Sequence, residues 1–328
     1  MSIIEPITPR RPTRRQILAA AGATAAMAAG PAFAQQGCQV GPPSHPKGPR
    51  VFLDYDQVEL DAAYNQAAYE PNFVEVVKRY ASNSDITRAR LGQPLRVAYG
   101  QSEVERLDIY RTKRSHAPIF VFIHGGAWRV GLAKQYAFLA EIFVNAGAHC
   151  VVPDFAWVQN VGGSLQAVAD QVRRAVAWAY KNAKSYGGDA SHLYVGGHSS
   201  GGHLAAVMLT TDWQKDFGLP AALIRGGVCL SGMYDLTPVR LSARGSYVKF
   251  DEAAVEALSP QRHLDRLHAP LIVAYGTYET PEFQRQNREF AAAMKAADKP
   301  VQLIVAENYS HLEMPETLAN PYGVTGYP

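Results

Sequence analysis

The stretch LYVGGHSSGGHLAAVML, residues 193–209, joins a short apolar run to a longer one through a cluster of glycines and serines. The first run has the length of a buried strand, and the second has the composition of a buried helix. Further short apolar runs occur on both sides of this stretch, with longer segments between them. They lie at residues 119–123, 150–153, 228–230, 271–275 and 301–305. This alternation predicts an α/β fold, with a mainly parallel sheet and helices on both of its faces.

Two of the longer segments, residues 165–183 and 282–297, carry apolar residues at helical spacing. Residues 95–110 read as a hairpin that precedes the parallel part of the sheet. In open sheets of this kind, the functional site lies beyond the carboxyl ends of the strands. Chemistry is therefore expected in the residues that follow each apolar run.

The first 34 residues are typical of an export signal rather than of part of the fold. Arg14 and Arg15 form a twin-arginine pair, an Ala-rich apolar run follows, and the small-x-small sequence AFA stands at residues 32–34. The pattern predicts a twin-arginine signal peptide at 1–34, with Sec export as the alternative. It implies a bacterial protein that is periplasmic or secreted. The apolar run is too short for a membrane span, and none is expected in the mature chain.

The charge balance of the remaining chain argues against nucleic acid as a partner. Residues 1–34 hold four of the 32 Lys and Arg residues and one of the 29 Asp and Glu residues, which leaves 28 of each. No basic stripe remains after removal of the signal. Cys150 and Cys229 lie in apolar runs and are expected to be buried thiols, while Cys38 stands near the cleavage site. The histidines and acids lack metal-ligand spacing, so neither a metal nor another cofactor is expected.

Residues 197–201, GHSSG, match the pattern G-x-S-x-G, in which a serine is held on a tight turn between a strand and a helix. Gly197 and Gly201 stand two positions before and after Ser199, whereas His198 stands two positions before Ser200. The pattern therefore selects Ser199 as the nucleophile. A phosphate-binding loop would need G-x-x-x-x-G-K-[ST] or G-x-G-x-x-G, and neither is present in this stretch.

A serine hydroxyl needs a base to accept its proton, and the base needs an acid to orient it. His311 follows the last apolar run and is the predicted base. Glu279 follows the run at 271–275 and is the predicted acid, which gives the chain order serine, acid, histidine. Asp235 and Glu282 are the alternative acids.

Attack on a carbonyl carbon also needs N–H donors that stabilise the oxyanion. Gly125 and Gly126 follow the apolar run 119–123 and allow the backbone to expose such groups. The predicted donors are the N–H groups of Gly126, Ala127 and Ser200. Five side chains beside these motifs are candidates for an apolar substrate pocket, with core packing as the alternative. They are Trp128, Phe155, Trp157, Tyr278 and Leu312.

Several stretches resemble a known family. They are YNQAAYEPN at 64–72, HGGAW at 124–128, AW at 177–178 with YGGD at 186–189, and ETPEF at 279–283. With the serine motif, they make the chain similar to the α/β-hydrolase carboxylesterases of the hormone-sensitive-lipase-like branch, in the subset of kynurenine formamidases and small-molecule esterases. The resemblance implies an eight-stranded type of sheet, an acyl-enzyme mechanism with a triad of Ser199, Glu279 and His311, and a cap formed by residues 54–92.

The predicted organisation is therefore a signal peptide at 1–34, an N-terminal arm and cap segment at 35–94, and an α/β-hydrolase catalytic domain at 95–328. The predicted function is that of an exported serine hydrolase that cleaves carboxyl esters of small molecules. An arylformamidase with the same triad is the first alternative. A binding protein that keeps the hydrolase fold without its activity is the second.

Overall fold

The computed structural model describes residues 41–42 and 44–326. The predicted signal at 1–34 and Cys38 lie outside the described residues. Within them, eight strands form one sheet in the order β1-β2-β4-β3-β5-β6-β7-β8. The strands are β1 Leu95–Ala98, β2 Arg106–Tyr110, β3 Ala117–Ile123, β4 His149–Pro153, β5 Gly188–His198, β6 Gly227–Leu230, β7 Leu271–Gly276 and β8 Val301–Ala306.

The sheet is antiparallel only at its first edge. Strands β1 and β2 form the hairpin predicted after residue 95, and β2 pairs antiparallel with β4. From β4 to β8 every pairing is parallel. Each apolar run identified in the sequence lies within one of these strands, so the prediction of a mainly parallel sheet is confirmed.

Helices cover both faces of the sheet, as predicted. The α-helices of the described residues are α1 Gln57–Ala63, α2 Phe73–Leu91, α3 Ala140–Asn145, α4 Leu165–Lys181, α5 Ser200–Leu209, α6 Trp213–Phe217, α7 Thr237–Leu241, α8 Glu252–Ala257, α9 Pro281–Ala296 and α10 Met314–Ala319. Short 3-10 helices lie at Gln66–Ala68, Ala133–Leu139, Val158–Val161, Ala183–Tyr186, Ala243–Ser246, Pro260–Arg262 and Leu264–Arg266. The helices predicted at 165–183 and 282–297 correspond to α4 and α9.

Strand β3 shows how the core is divided between the two faces. Ile119, Val121 and Ile123 pack into one buried cluster, and Phe120 and Phe122 pack into the other. Successive side chains of a strand point to opposite faces, so a continuous apolar run is what a sheet covered on both sides requires. Full burial of each such side chain contributes about 1.5–3 kcal/mol relative to its exposure.

Side-chain caps define where two long helices begin. Ser164 accepts a hydrogen bond from the Ala167 N–H (3.1 Å) at the start of α4, and Thr280 accepts one from the Phe283 N–H (3.3 Å) at the start of α9. The Thr280 hydroxyl also donates to the Ala63 carbonyl (2.6 Å). This hydrogen bond holds the end of helix α1 next to the segment between β7 and α9.

The segment predicted as a helical cap, residues 54–92, contains α1 and α2 with a 3-10 turn between them. Helix α2 lies on the 3-10 helix Ala133–Leu139, where the Ser84 hydroxyl donates to the Gln135 carbonyl (2.9 Å). The division into arm, cap and catalytic domain stays a prediction. In the part of the chain that the structure describes, no helix has both the length and the apolar character needed to cross a bilayer. Cys150 and Cys229 are buried free thiols, as expected.

Candidate active site

Four strand ends bring the predicted functional residues to one edge of the sheet. The glycine turn follows β3, Ser199 follows β5, Glu279 follows β7 and His311 follows β8. Strands β3 and β5 are neighbours, as are β7 and β8, and all four run in the same direction. Residues as far apart in the chain as Gly125 and His311 therefore converge beyond the carboxyl ends of the sheet, as this architecture requires.

Ser199 occupies a strained turn between β5 and α5. Its backbone has φ 58° and ψ −123°, a conformation that residues with a side chain rarely adopt. The Ser199 N–H donates to the Leu230 carbonyl (2.9 Å), which ties the turn to β6. This geometry is that of the strand-to-helix elbow expected from the sequence pattern.

The glycines of the pattern are required by close backbone approach. A Cβ on Gly201 would lie 2.0 Å from the Ile123 carbonyl oxygen, and one on Gly197 would lie 2.2 Å from the Gly201 carbonyl oxygen. A Cβ on Gly125 would lie 2.9 Å from the His198 carbonyl oxygen and 3.2 Å from the Ser199 Cβ. The turn after β3 therefore packs directly against the serine elbow, and only glycine fits at these positions.

Glu279 and His311 form a buried pair. His311 Nδ1 lies 2.9 Å from Glu279 Oε2, and both residues are almost inaccessible to solvent. The other carboxylate oxygen, Oε1, accepts hydrogen bonds from the Ser231 hydroxyl (2.6 Å) and the Gly276 N–H (2.7 Å). These two donors fix the carboxylate, which in turn orients the imidazole ring.

The two alternative acids are engaged elsewhere. Asp235 accepts a hydrogen bond from the Thr237 N–H (3.0 Å) at the start of α7. Glu282 accepts one from the Tyr64 hydroxyl (3.0 Å) and pairs with Arg285. Of the three candidate acids, Glu279 is the one that contacts His311 in the described structure.

The environment of His311 favours its neutral form. Burial, together with the positive charge of Arg244, lowers the pKa of His311 to about 3. Burial also raises the pKa of Glu279 to about 7. The hydrogen bonds from Ser231 and Gly276 lower this pKa, but their effect is smaller than that of burial. A neutral imidazole with one nitrogen held by a carboxylate can accept a proton at its other nitrogen. Among the described hydrogen bonds, none joins Ser199 to His311, and such bonds often shorten only when substrate binds.

His198 supports His311 in a way that the sequence did not reveal. Its Nε2 lies 2.8 Å from the His311 carbonyl oxygen, and the two rings are 4.6 Å apart between centroids. Burial lowers the pKa of His198 to about 3, so the ring is neutral and acts as a donor to the loop that carries His311. In the sequence, the only feature that marks His198 is its position next to Ser199.

The turn after β3 has an unusual backbone conformation that leaves N–H groups unpaired within the described structure. Gly126, Ala127 and Trp128 have φ of 119°, 54° and 59°, three successive residues in the left-handed region. Among the described contacts, the N–H groups of Gly126 and Ala127 have no acceptor. The N–H of Ser200 is in the first turn of α5 and also has no acceptor within that helix. The predicted oxyanion donors are thus unpaired N–H groups beside the serine elbow.

Ser200 makes a contact that the sequence pattern does not indicate. Its hydroxyl oxygen accepts a hydrogen bond from the Trp128 N–H (3.2 Å). The side chain therefore joins the elbow to the turn after β3. The sequence alone had suggested that only the backbone of Ser200 takes part in the site.

Ser199 and His311 open into one cavity of about 1110 Å³. Of the five predicted pocket side chains, Leu312 lines it. Trp128 and Phe155 are buried in the core, Tyr278 is 58% exposed, and Trp157 donates to the Gly131 carbonyl (2.9 Å). The lining instead comes mainly from three segments, within residues 58–80, 126–136 and 243–247. Proximity in sequence to a motif was a poor guide to the pocket, because a wall is built by whichever segments fold over the site.

Glu70 holds the loop that carries His311 from the cap side. Its carboxylate accepts hydrogen bonds from the Ser310 hydroxyl (2.5 Å) and the Leu312 N–H (3.3 Å). Burial raises the pKa of Glu70 to about 7, and these hydrogen bonds oppose that rise. The Tyr80 hydroxyl donates to the Leu312 carbonyl. Glu70 belongs to the stretch YNQAAYEPN, so the resemblance had marked the region without indicating this contact.

Replacing Glu70 by alanine is expected to lower kcat by about tenfold to a hundredfold with a smaller change in KM. The reason is that Ser310 and Leu312, which flank His311, both lose the carboxylate that accepts their hydrogen bonds. Steady-state kinetics on an ester substrate give both constants. Glu70→Gln keeps an acceptor oxygen and is expected to recover most of the loss. Glu316→Gln breaks a half-exposed pair with Arg79 that joins α10 to α2, and it should change kcat by less than about twofold. A folded Glu70→Ala variant with wild-type kcat would contradict the positioning role.

One group of potential metal ligands occurs among the described residues. Ligand atoms of His45, Asp56 and Glu59 lie within 4.8 Å of one another. Asp56 already accepts hydrogen bonds from the N–H groups of Gly48 and Glu59, and Glu59 accepts one from the Asp56 N–H. The last two contacts form the capping box of α1, and none of the three residues lines the cavity of Ser199.

The sheet order and the elbow define the class of this protein as an α/β-hydrolase. The same class emerges from known structures. A Silicibacter protein described as a candidate thioesterase superposes with a TM-score of 0.71 at 27% identity, over 80% of this chain and 96% of that one. An esterase from Pyrobaculum calidifontis, at 20% identity, shares the fold with a TM-score of 0.61 over 77% of this chain and 90% of that one.

Sequence relatives narrow the class further. A kynurenine formamidase from Danio rerio is 30% identical over 275 residues, which cover 80% of this chain and 91% of the relative. Esterase LipC from Mycobacterium tuberculosis is 27% identical over 62% of this chain and 55% of its own length. A family model described as BD-FAE matches residues 107–222. The chain belongs to the α/β-hydrolase esterases of the hormone-sensitive-lipase-like branch, alongside the kynurenine formamidases. The prediction of a carboxylic ester hydrolase is confirmed at this level.

Proposed function

We propose that this protein is an exported serine hydrolase that cleaves carboxyl esters of small molecules through an acyl-enzyme intermediate. The observation that carries the proposal is the strained elbow of Ser199, which opens into the same cavity as a His311 ring held by Glu279. Strain of this kind persists where the surrounding structure enforces it, and it is common at catalytic residues. The twin arginines at 14 and 15 support export to the periplasm or beyond.

The proposed reaction uses each group in turn. His311 accepts the proton of the Ser199 hydroxyl as its oxygen attacks the acyl carbon. The N–H groups of Gly126, Ala127 and Ser200 stabilise the oxyanion of the tetrahedral intermediate, and Glu279 stabilises the imidazolium. The imidazolium then protonates the leaving alcohol. Water, activated by the same imidazole, hydrolyses the acyl-enzyme and restores Ser199.

An arylformamidase is the second candidate, and the relatives named kynurenine formamidase favour it. The same triad would attack a formyl carbon, and His311 would protonate an amine in place of an alcohol. The predicted export signal favours an ester substrate, because the breakdown of tryptophan normally takes place inside the cell. A binding protein without activity is a third reading, which the intact set of triad residue types disfavours.

A substrate screen on the purified protein separates these candidates. The panel contains esters with short and long acyl chains, aromatic esters, polyester oligomers and N-formylkynurenine. We expect kcat/KM to be highest for an ester, because the leaving alcohol of an ester departs more readily than an amine. The Ser199→Ala variant serves as the blank for each substrate. A kcat/KM for N-formylkynurenine above that of every ester would replace the first proposal by the second.

A further inference from the structure

Arg244 is a buried cation that pairs with no carboxylate of the described residues. It lies in the 3-10 helix Ala243–Ser246, and only 7% of its surface is exposed. One guanidinium nitrogen, Nη2, donates to the Tyr64 carbonyl (3.0 Å), while Nε and Nη1 have no acceptor among the described residues. No carboxylate of the described chain lies within ion-pair distance of it. Burying a guanidinium without a counter-charge is costly unless a ligand supplies one.

Aromatic rings surround the guanidinium. Its Cζ lies 5.7 Å from the ring centroids of Tyr64 and Trp128 and 5.9 Å from that of Phe283. The faces of these rings attract the positive charge and hold the side chain in place. They offer no strong acceptor for the remaining N–H groups, so the guanidinium is oriented while much of its donor capacity stays unused.

Gln66 is a second unpartnered polar group in the same cavity. It is 8% exposed, and neither its amide nitrogen nor its amide oxygen has a hydrogen-bond partner among the described residues. It stands two positions after Tyr64, whose carbonyl accepts from Arg244. Both Gln66 and Arg244 line the cavity into which Ser199 and His311 open. Buried polar groups are nearly always paired, so two unpaired groups in one cavity point to a bound molecule that pairs them.

The other charged groups of the cavity do not satisfy Arg244. Asp61 lines the cavity, but its carboxylate accepts from the Ala243 N–H (2.6 Å) and from the Gln57 amide (2.9 Å). Arg129 is an exposed cation whose Cζ lies 4.6 Å from the centroid of the Tyr247 ring. The cavity that Ser199 lines therefore also presents one buried, oriented guanidinium and one buried carboxamide.

We propose that Arg244, with Gln66, binds a carboxylate of the substrate that Ser199 attacks, so that this enzyme prefers esters that carry a second, anionic group. The inference rests on the proposed serine-hydrolase function and specifies its substrate class. A planar carboxylate matches the fork of guanidinium donors, and the Gln66 amide can donate one further hydrogen bond. The carboxylate can belong to either the acyl or the alcohol part of the ester.

The charge of Arg244 also connects this subsite to the chemistry. Arg244 disfavours a positive charge on His311, as the lowered pKa of His311 reflects. The proposed reaction needs that charge when the imidazole accepts the serine proton. A carboxylate bound to Arg244 offsets the repulsion, so an anionic substrate would assist the proton transfer as well as bind more tightly. The other ionisable groups near His311 include Glu279 and His198, which contact it, and Glu70, which contacts Ser310 and Leu312 on either side of it.

Two matched pairs of esters test the proposal. Monopropyl glutarate is compared with propyl pentanoate, and 2-carboxyethyl butanoate with propyl butanoate, so a terminal carboxylate replaces a methyl group on the acyl or the alcohol side. Rates are followed by alkali uptake at neutral pH. We expect the carboxylate ester of one pair to have the higher kcat/KM, by about tenfold to a hundredfold. Arg244→Gln should remove this preference, and Gln66→Leu should reduce it. The ratio within a pair is the readout, so a general loss of activity does not affect it.

Arg129→Gln is the control, because it removes a cation from the rim of the same cavity without touching the buried pair. It should leave the ratio within about twofold of the wild-type value. Hydrolysis of both neutral esters with no preference for either carboxylate ester would overturn the subsite and leave the proposed function standing. An equal fall of the ratio in Arg129→Gln and Arg244→Gln would also overturn it.

Binding to the Ser199→Ala variant tests the subsite without turnover. The dissociation constants of all four esters are measured by calorimetric titration. In at least one of the two pairs, the carboxylate ester should have a dissociation constant about tenfold or more below that of its neutral counterpart. Addition of Arg244→Gln should abolish the difference. If no ester is hydrolysed by the wild-type protein but this binding difference is present, the proposed function fails and the subsite stands. Equal binding within both pairs would overturn the subsite.

Discussion

Replacing Ser199 by alanine is expected to lower kcat by about 10⁴ to 10⁶, the range typical of the loss of a triad nucleophile. The proposed acyl-enzyme cannot form without the hydroxyl, and no other side chain occupies the apex of the elbow. Alanine can take the same backbone conformation as serine, so the fold should survive. Initial rates on the best ester of the screen, with a thermal unfolding curve of each protein, measure both effects.

Ser200→Ala is the matched control, because it removes the neighbouring hydroxyl from the same turn. The Ser200 N–H, a proposed oxyanion donor, is retained. The lost contact is the one from the Trp128 N–H to the hydroxyl (3.2 Å), which braces the turn after β3. A loss of no more than about tenfold in kcat is expected, since an unpaired buried N–H costs about 1–3 kcal/mol in stability and only indirectly affects the reaction.

A serine-directed sulfonyl fluoride gives a second measure of the same assignment. Mass spectrometry of the labelled wild-type protein should place the modification on Ser199, and Ser199→Ala should remain unlabelled. Turnover that persists in Ser199→Ala, or a label on Ser200, would contradict the assignment of Ser199 as the nucleophile.

The fold could be predicted from the sequence, because the residue pattern that produces each strand is local. A strand buried on both faces must be continuously apolar, and residues 119–123 satisfy this by sending side chains into both core clusters. The importance of the glycines around Ser199 could be predicted for a similar reason. Each one faces a backbone carbonyl at 2.0–2.2 Å from its missing Cβ, so a substitution at either position cannot be accommodated.

The walls of the cavity could not be predicted from the sequence, because they depend on tertiary contacts. Trp128 follows the predicted oxyanion donors in sequence, yet its side chain is buried in the core beside Arg244. Arg244 lies in a segment without any motif, and nothing in its neighbours shows that it meets Tyr64, 180 positions earlier. His198 lies in the serine motif and Ser231 directly follows β6, but their contacts with His311 and Glu279 depend on how the strands are placed in the sheet.

Replacing Glu279 by glutamine is expected to lower kcat by about 10⁴ while the fold persists. Oε1 of Glu279 faces the Gly276 N–H, which can only donate, so the amide oxygen of glutamine must take that place. The amide nitrogen then faces His311 Nδ1, which lies 2.9 Å from Oε2 in the wild-type pair. Because an amide nitrogen only donates, the imidazole must carry its proton on Nε2. In that tautomer it cannot accept the proton of Ser199.

Glu279→Asp is the control for the charge. It keeps a carboxylate but shortens the side chain by one methylene, so it preserves the favoured tautomer at the cost of a longer contact. We expect it to retain more activity than Glu279→Gln, by about tenfold or more, even though it packs less well. Steady-state kcat and thermal unfolding midpoints of the three proteins make the comparison. If Glu279→Gln loses less than about tenfold, or if Glu279→Asp is the weaker enzyme, the carboxylate acts by packing rather than by setting the tautomer of His311.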